Sequence, residues 1–172
     1  MSPFFCSVAE QLDPTIKGKA VVVGAKPSER GAVASASYPA RKYGIKSAMP
    51  MGQALRLCPD LIIARPNPRV CVQRSKAVMD ILLEAAPLVE PASIDDVFAD
   101  VTILRDPIDE IAHDIQRRVN TEVDLPCSLG GGASKLLAKM ANAFGKTRQP
   151  KDKPPNSIMI VPPGEEKLFL DV

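Results

Sequence analysis

Every apolar run in this chain is short, and several are followed within a few residues by glycine or proline. KAVVV (Lys19–Val23) ends at Gly24, the stretch Met51–Leu57 is closed by Pro59, LIIA (Leu61–Ala64) runs into RPNPR, and SIMIV (Ser157–Val161) runs into Pro162-Pro163-Gly164. Glycine frees the backbone and proline removes a donor, so this punctuation limits the chain to short elements joined by turns. No run approaches the roughly 20 apolar residues of a membrane span. The N-terminal MSPFFCSVAEQ lacks the basic flank and long apolar stretch of a secretory signal, which points to the cytoplasm. With 172 residues, 45% of them hydrophobic and 24% charged, the chain has the material for a core in one or two domains, which excludes disorder as its main state.

Metal and nucleophile chemistry narrows quickly. Cys6, Cys58, Cys71 and Cys127 are scattered with no CxxC pair, and His113 is the sole histidine. Neither a disulfide scaffold nor a Cys/His zinc site can be built from that set. A histidine-dependent triad would rest wholly on His113, which lies in the charged helical stretch IAHDIQRRVN without a neighbouring nucleophile and reads as a surface residue. The net charge of +2 hides clusters of basic residues at Arg41, Lys42 and Lys46, and again across Lys135, Lys139, Lys146, Arg148, Lys151 and Lys153, a pattern that permits an anionic partner.

Periodicity orders the elements. Strands are expected at Lys19–Val23, Gly31–Ser37 and Leu61–Ala64, with short helices at Tyr38–Tyr43 and Met51–Leu57. A longer helix runs from Val70 towards Ala86, followed by a strand at Leu88–Glu90 and by SIDDVFADV as the turn and second arm of a hairpin. Pro107 opens a helix from Ile108 to Val123. Ser128–Gly132 is a strand entering a glycine turn, Ser134 caps a helix over Lys135–Asn142, GKTRQPKDKPPNS is a linker, and a short strand and helix close the chain, which looks cut short. With a first strand at Phe4, the series is a split βαβ sheet interrupted early by a small insertion, an α+β fold.

Three places can carry chemistry. Asp95 and Asp96 are adjacent carboxylates at a hairpin turn that would repel unless a cation joined them, so the pair is either a divalent-metal site or an exposed acidic turn. Asp100 either shares a face with one of them or is a solvated strand residue. Tyr38 and Arg41, one helical turn apart, suit a polyphosphate, or are a half-buried phenol and a surface guanidinium. Ser128-Leu129-Gly130-Gly131-Gly132 before Lys135 and Lys139 is either a phosphate cradle or a tight turn with solvated lysines, and it lacks the Walker A spacing.

Taken in order, FFCSVAEQ, KGKAVVVG, GAVASASYPARKYGIKSAMP, ALRLCPDL, VEPASIDDVFADVT and ASKLLAKMAN resemble the palm and fingers of the Y-family translesion DNA polymerases, nearest to the DNA polymerase IV branch. The resemblance implies a ferredoxin-like split βαβ palm with an inserted fingers domain. Its bounds would be residues 1–8 and 68–150 for the palm and the start of the thumb, 9–67 for the fingers, and 151–172 for a linker and truncated thumb segment. It implies template-directed addition of dNTP to a primer 3′-hydroxyl with two Mg²⁺ ions, Asp95 and Asp96 being metal ligands in the second palm motif. Phe5 would be the steric gate against ribonucleotides, and Ser35, Tyr38, Arg41 and Lys139 would contact the triphosphate. Primer-template DNA and dNTP are the implied partners, with a sliding clamp reached through further C-terminal parts. The chain also departs from the family pattern. Its first metal motif, Asp-x-Asp-x-Phe-(Phe/Tyr), would begin before Met1 and has Ser2 at its second acid. Asp96 stands where Glu is usual, and SLGGGAS replaces a bulkier turn. These departures imply weak or absent activity for this chain, and they support the alternative of a non-catalytic polymerase-like accessory protein in DNA repair.

Overall fold

In the computed structural model, residues 3–149 and 156–171 are described, and they divide into an N-terminal unit of residues 3–74 and a C-terminal unit of residues 75–149 and 156–171. The fold is α+β, as the sequence implies. Among the described residues no helix is long and apolar enough to cross a membrane.

The N-terminal unit is a three-stranded sheet between helices. Strand β1 (Val21–Gly24) is central, antiparallel to β2 (Val33–Ala36) and parallel to β3 (Ile62–Ala64). All of β1 is buried, and its alternation sorts the core into two layers. Val21 and Val23 pack with Cys6, Ala9 and Ile16. Val22 packs on the other side with Ala40 of α2 (Tyr38–Lys42) and Met51 and Ala54 of α3 (Met51–Leu57). Ser37 ties α2 to the sheet, its Oγ accepting from Val21 N at 2.9 Å and Ala40 N at 3.3 Å.

The first strand expected at Phe4 is instead helix α1 (Phe4–Leu12). Its apolar residues Phe4, Val8 and Leu12 recur every four positions, the helical period, and Pro3 precedes it where a missing N–H costs nothing. Phe4 and Phe5 therefore do not alternate across a strand. Phe4 is 2% exposed, Phe5 is half-buried, and their rings meet edge to face at 5.4 Å.

Helix α4 (Pro68–Ala85) leads into the C-terminal unit, where β4 (Leu88–Pro91) and β5 (Val97–Asp100) form the expected antiparallel hairpin with Val89 opposite Ala99. Helix α5 (Ile108–Glu122) buries Ala112, Ile115 and Val119 on one stripe. Strand β6 (Leu129–Gly131) pairs in parallel with β7 (Ile158–Ile160), and α6 (Lys135–Thr147) packs on both. Ser134 caps α6 as expected, accepting from Leu137 N at 3.3 Å, but the helix runs five residues past the expected end at Asn142 and takes in Gly145 to Thr147 of the supposed linker. Residues 150–155 of that linker, like Ser2 of the first motif, lie outside the described residues. Helix α7 (Glu166–Leu170) sets Phe169 against Phe144 of α6, edge to face at 5.7 Å.

Candidate nucleotide and metal site

The loop between β4 and β5 is organised by one hydroxyl. Ser93 Oγ accepts from the backbone N–H of Asp95 at 3.3 Å and of Asp96 at 3.1 Å, and donates to Asp95 Oδ1 at 2.9 Å. The backbone carbonyl of Asp96 accepts from Ala92 and Ser93, closing the turn. This Ser-x-Asp arrangement is a local side-chain turn of the kind that short polar residues favour. It holds both half-buried carboxylates at the hairpin end, above a cleft of about 820 Å³ that lies wholly within the C-terminal unit.

The carboxylates do have a cation. Lys139 Nζ donates to Asp96 Oδ2 at 2.6 Å. Burial alone would raise the Asp96 pKa, but the hydrogen bond from Lys139 and the positive charges of Lys139 and Lys146 outweigh it and hold the group below the usual carboxylate value. Lys146 lies two helical turns beyond Lys139 on the same side of α6. Its own pKa is lowered, first by burial and also by repulsion from Lys139, against the pull of Asp96 and Asp95. Sequence reading passed over Lys146 as a site residue because it ended the helix at Asn142; the i, i+7 spacing was the available signal.

The glycine turn has a different use from the phosphate cradle considered above. A Cβ on Gly130 would lie 2.1 Å from the Ala138 carbonyl oxygen and 2.4 Å from Asn142 N, so its bare Cα lets β6 touch the α6 backbone. Lys135, four residues before Lys139, ion-pairs with Glu90 and sits over the Phe98 ring at 5.7 Å. Asp100 is exposed and belongs to the following turn, where its Oδ1 accepts from Thr102 N at 2.9 Å and Oγ1 at 2.6 Å.

Phe5, Ser35, Tyr38 and Arg41 lie in the N-terminal unit. Tyr38 and Arg41 come together as the helical spacing expects, the guanidinium 4.9 Å above the phenol ring, with Arg41 Nε donating to the Ala36 carbonyl at 3.0 Å. Ser35 is buried, its Oγ 3.6 Å from Cys6 Sγ. The Cys6 thiol is pushed up to about 11 by burial, and all four cysteines are buried and free. His113 is exposed, as expected, with Nδ1 2.7 Å from the Asp109 carbonyl.

Residues 1–143 match the impB/mucB/samB family. The chain belongs to this family. It is 40% identical over 99% of its length to a DNA polymerase IV of Dehalococcoides mccartyi, covering 42% of that protein, and 43% identical over 85% of its length to DNA polymerase IV 1 of Halalkalibacterium halodurans, covering 36% of it. Among solved structures it is similar to a post-insertion binary complex of Dbh DNA polymerase, with a TM-score of 0.87 and 31% identity over 98% of this chain and 48% of that one. DinB from Sulfolobus solfataricus gives a TM-score of 0.85 with 29% identity over 97% and 48%. Family and fold together are those of a Y-family polymerase palm and fingers, and the chain spans between 36% and 48% of the length of these relatives.

Proposed function

We propose that the chain is the palm and fingers of a cytoplasmic translesion DNA polymerase, with residues 3–74 mainly fingers, the C-terminal unit the palm, and α7 the start of a thumb. Its partners are primer-template DNA, dNTP and, in a longer polypeptide, a sliding clamp. The observation that carries this reading is the acidic hairpin end meeting the basic side of α6 in one cleft, Asp96 on Lys139 with Asp95 beside it. Magnesium suits this donor set: it takes oxygen ligands and is commonly held by one or two carboxylates together with substrate phosphates. Asp95 and Asp96 would hold it, and the ion would supply Lewis-acid polarisation at the phosphoryl group. In the C-terminal unit Lys139 carries charge for a triphosphate once it leaves Asp96; in the N-terminal unit Ser35, Tyr38 and Arg41 are the phosphate-contacting residues, and Phe5 is the ring that discriminates the sugar. The primer 3′-hydroxyl then attacks the α-phosphate and pyrophosphate leaves.

A non-catalytic repair scaffold is the second reading. Among the described residues no three His, Cys, Asp or Glu side chains form a group that could hold a metal ion. Primer extension decides between them, using this chain with an acidic first motif restored and joined to the remaining segments of the Dehalococcoides mccartyi relative. The polymerase reading expects extension that falls about 100-fold or more in D95N/D96N. DNA binding with no extension would establish the scaffold instead.

A further inference from the structure

The carboxylates at the hairpin end lie beyond the ladder that carries them. Pairing of β4 with β5 ends at Pro91 opposite Val97, so the turn over 92–96 takes no direct support from the sheet. The bonds that shape it come from inside: Ser93 Oγ accepts from Asp95 N and Asp96 N, and the Asp96 carbonyl accepts from Ala92 N and Ser93 N. Bonds of this kind set the form of a turn and move with it. They do not fix where it points, and a metal or phosphate site works only when the groups behind its ligands hold them in place.

A hydroxyl on α4 supplies an anchor from outside. Ser75 Oγ donates to the Ile94 carbonyl at 2.6 Å, across 19 residues of sequence and within the C-terminal unit. That length is at the short end of the range for an O–H···O bond. Ile94 O and Asp95 N belong to one peptide unit, which is planar and rigid. Its N–H end donates to Ser93 Oγ at 3.3 Å and its C=O end accepts from Ser75, so the plane that leads into the Asp95 Cα is held at both ends. The post is firm. Helix α4 has 18 residues, and Val78, Ile81 and Leu82 in the turns after Ser75 are buried. Ser75 is half-buried and, three residues before Val78, lies on the same side of the helix. Serine inside a helix is a poorer helix former than alanine, so here the hydroxyl costs α4 a little and serves the turn.

We propose that Ser75 is a positioning residue for Asp95 and Asp96: through the Ile94 carbonyl it aims the acidic turn, so that both carboxylates stand ready for a divalent cation. The cation comes from the polymerase reading, on which this role rests; the anchoring of the turn stands on its own hydrogen bond. The division of labour is then complete. Ser93 shapes the turn, Lys139 neutralises Asp96, and Ser75 fixes the direction. Without the Ser75 hydroxyl the Ile94 carbonyl loses this donor, and the Ile94–Asp95 plane is free to rotate about the dihedrals on either side of it. Rotation carries Asp95 N away from Ser93 Oγ and lets the two carboxylates drift. Ser75 thus governs how tightly the pair holds an ion while touching neither the ion nor a phosphate.

The test uses the 172-residue chain as wild type, Ser75→Ala and Ser75→Thr, with D95N/D96N as the control for the ion. Alanine removes the hydroxyl and favours helix, so α4 itself should not loosen; threonine keeps the hydroxyl. Amide hydrogen exchange followed by NMR reads the turn, and Mn²⁺ uptake followed by electron paramagnetic resonance reads the ion. In Ser75→Ala the Asp95 and Asp96 amides should exchange about fivefold faster or more, the loss of one net hydrogen bond, with the amides of 78–85 unchanged. Mn²⁺ should bind about tenfold more weakly, as it does when a group that orients a metal's ligands is removed. Ser75→Thr should restore both. Unchanged exchange at Asp95 and Asp96 in Ser75→Ala would overturn the proposal. So would faster exchange throughout 78–85, which would make Ser75 an ordinary stabilising residue of α4, failure of threonine to restore the turn, or equal Mn²⁺ affinity in wild type and Ser75→Ala. A wild-type chain that takes up no more Mn²⁺ than D95N/D96N would instead remove the ion from the polymerase reading, leaving the exchange pattern to decide whether Ser75 holds the turn.

Discussion

At the residue scale the two rings of α1 divide the labour that a strand would have assigned by alternation. Phe4 is buried and Phe5 half-buried beside the Cys6, Ala9 and Val21 cluster, so the two substitutions separate. Phe4→Ala should cost about 3–5 kcal/mol, the usual range for emptying a core aromatic site, and Phe5→Ala about half of that, measured by denaturant unfolding. In a polymerase-competent version, Phe5→Ala should also raise ribonucleotide incorporation, while Phe4→Ala should leave sugar choice unchanged. Equal stability losses with unaltered sugar choice would make both rings core filler. The sequence pattern FFCSVAEQL holds the helical period, with Phe4, Val8 and Leu12 four residues apart. What a single sequence does not display is which partner an apolar stripe meets, and that contact decided the element.

At the element scale, α6 does two jobs that sequence spacing only partly shows. Its approach to β6 depends on Gly130, where an added methyl would press on the backbone at Ala138 and Asn142. Gly130→Ala should therefore destabilise by about 2–3 kcal/mol, since neither backbone atom can turn aside as a side chain would. Gly52, in helix α3 with nothing near its Cα, should behave oppositely, Gly52→Ala stabilising by about 0.5 kcal/mol through a less flexible unfolded chain. Thermal unfolding of the two variants checks both signs. The second job is electrostatic. The Asp96 pKa is held below the usual carboxylate value in the folded chain because Lys139 and its neighbours outweigh burial. A carboxyl with a depressed folded pKa contributes stability that is present above its unfolded value and is lost as the pH falls through the folded one. Lys139→Met should thus raise the Asp96 pKa, seen by carboxyl carbon NMR, and its destabilisation at pH 7 should shrink towards pH 3. The hairpin end, the Ser134 cap and the Tyr38–Arg41 pair were legible in the sequence because each rests on contacts within four residues. The Lys135–Glu90 and Lys139–Asp96 pairs span more than forty residues and were not.

At the scale of the whole molecule, a net charge of +2 sets how strongly the chain can hold DNA, and local pairing reduces what that charge delivers. On α6 and its C-cap, Lys135 is engaged by Glu90 and Lys139 by Asp96, while Lys146 is half-buried and Arg148 lies over Phe144 at 4.5 Å. If the first two stay on their carboxylates, at most two of these four cations meet phosphate. Each neutralised phosphate contributes close to −0.9 to the slope of log affinity against log salt, so this surface alone would give a slope of about −2. If Lys135 and Lys139 exchange their carboxylates for phosphates, the slope steepens to about −4. Duplex affinity measured by anisotropy from low to physiological salt distinguishes the two. Lys139→Met is the control: it should leave a slope near −2 untouched, and should flatten a slope near −4 by close to one phosphate. A duplex affinity in the nanomolar range that ignores salt would contradict both, because a chain with this charge has no other long-range means of holding a polyanion.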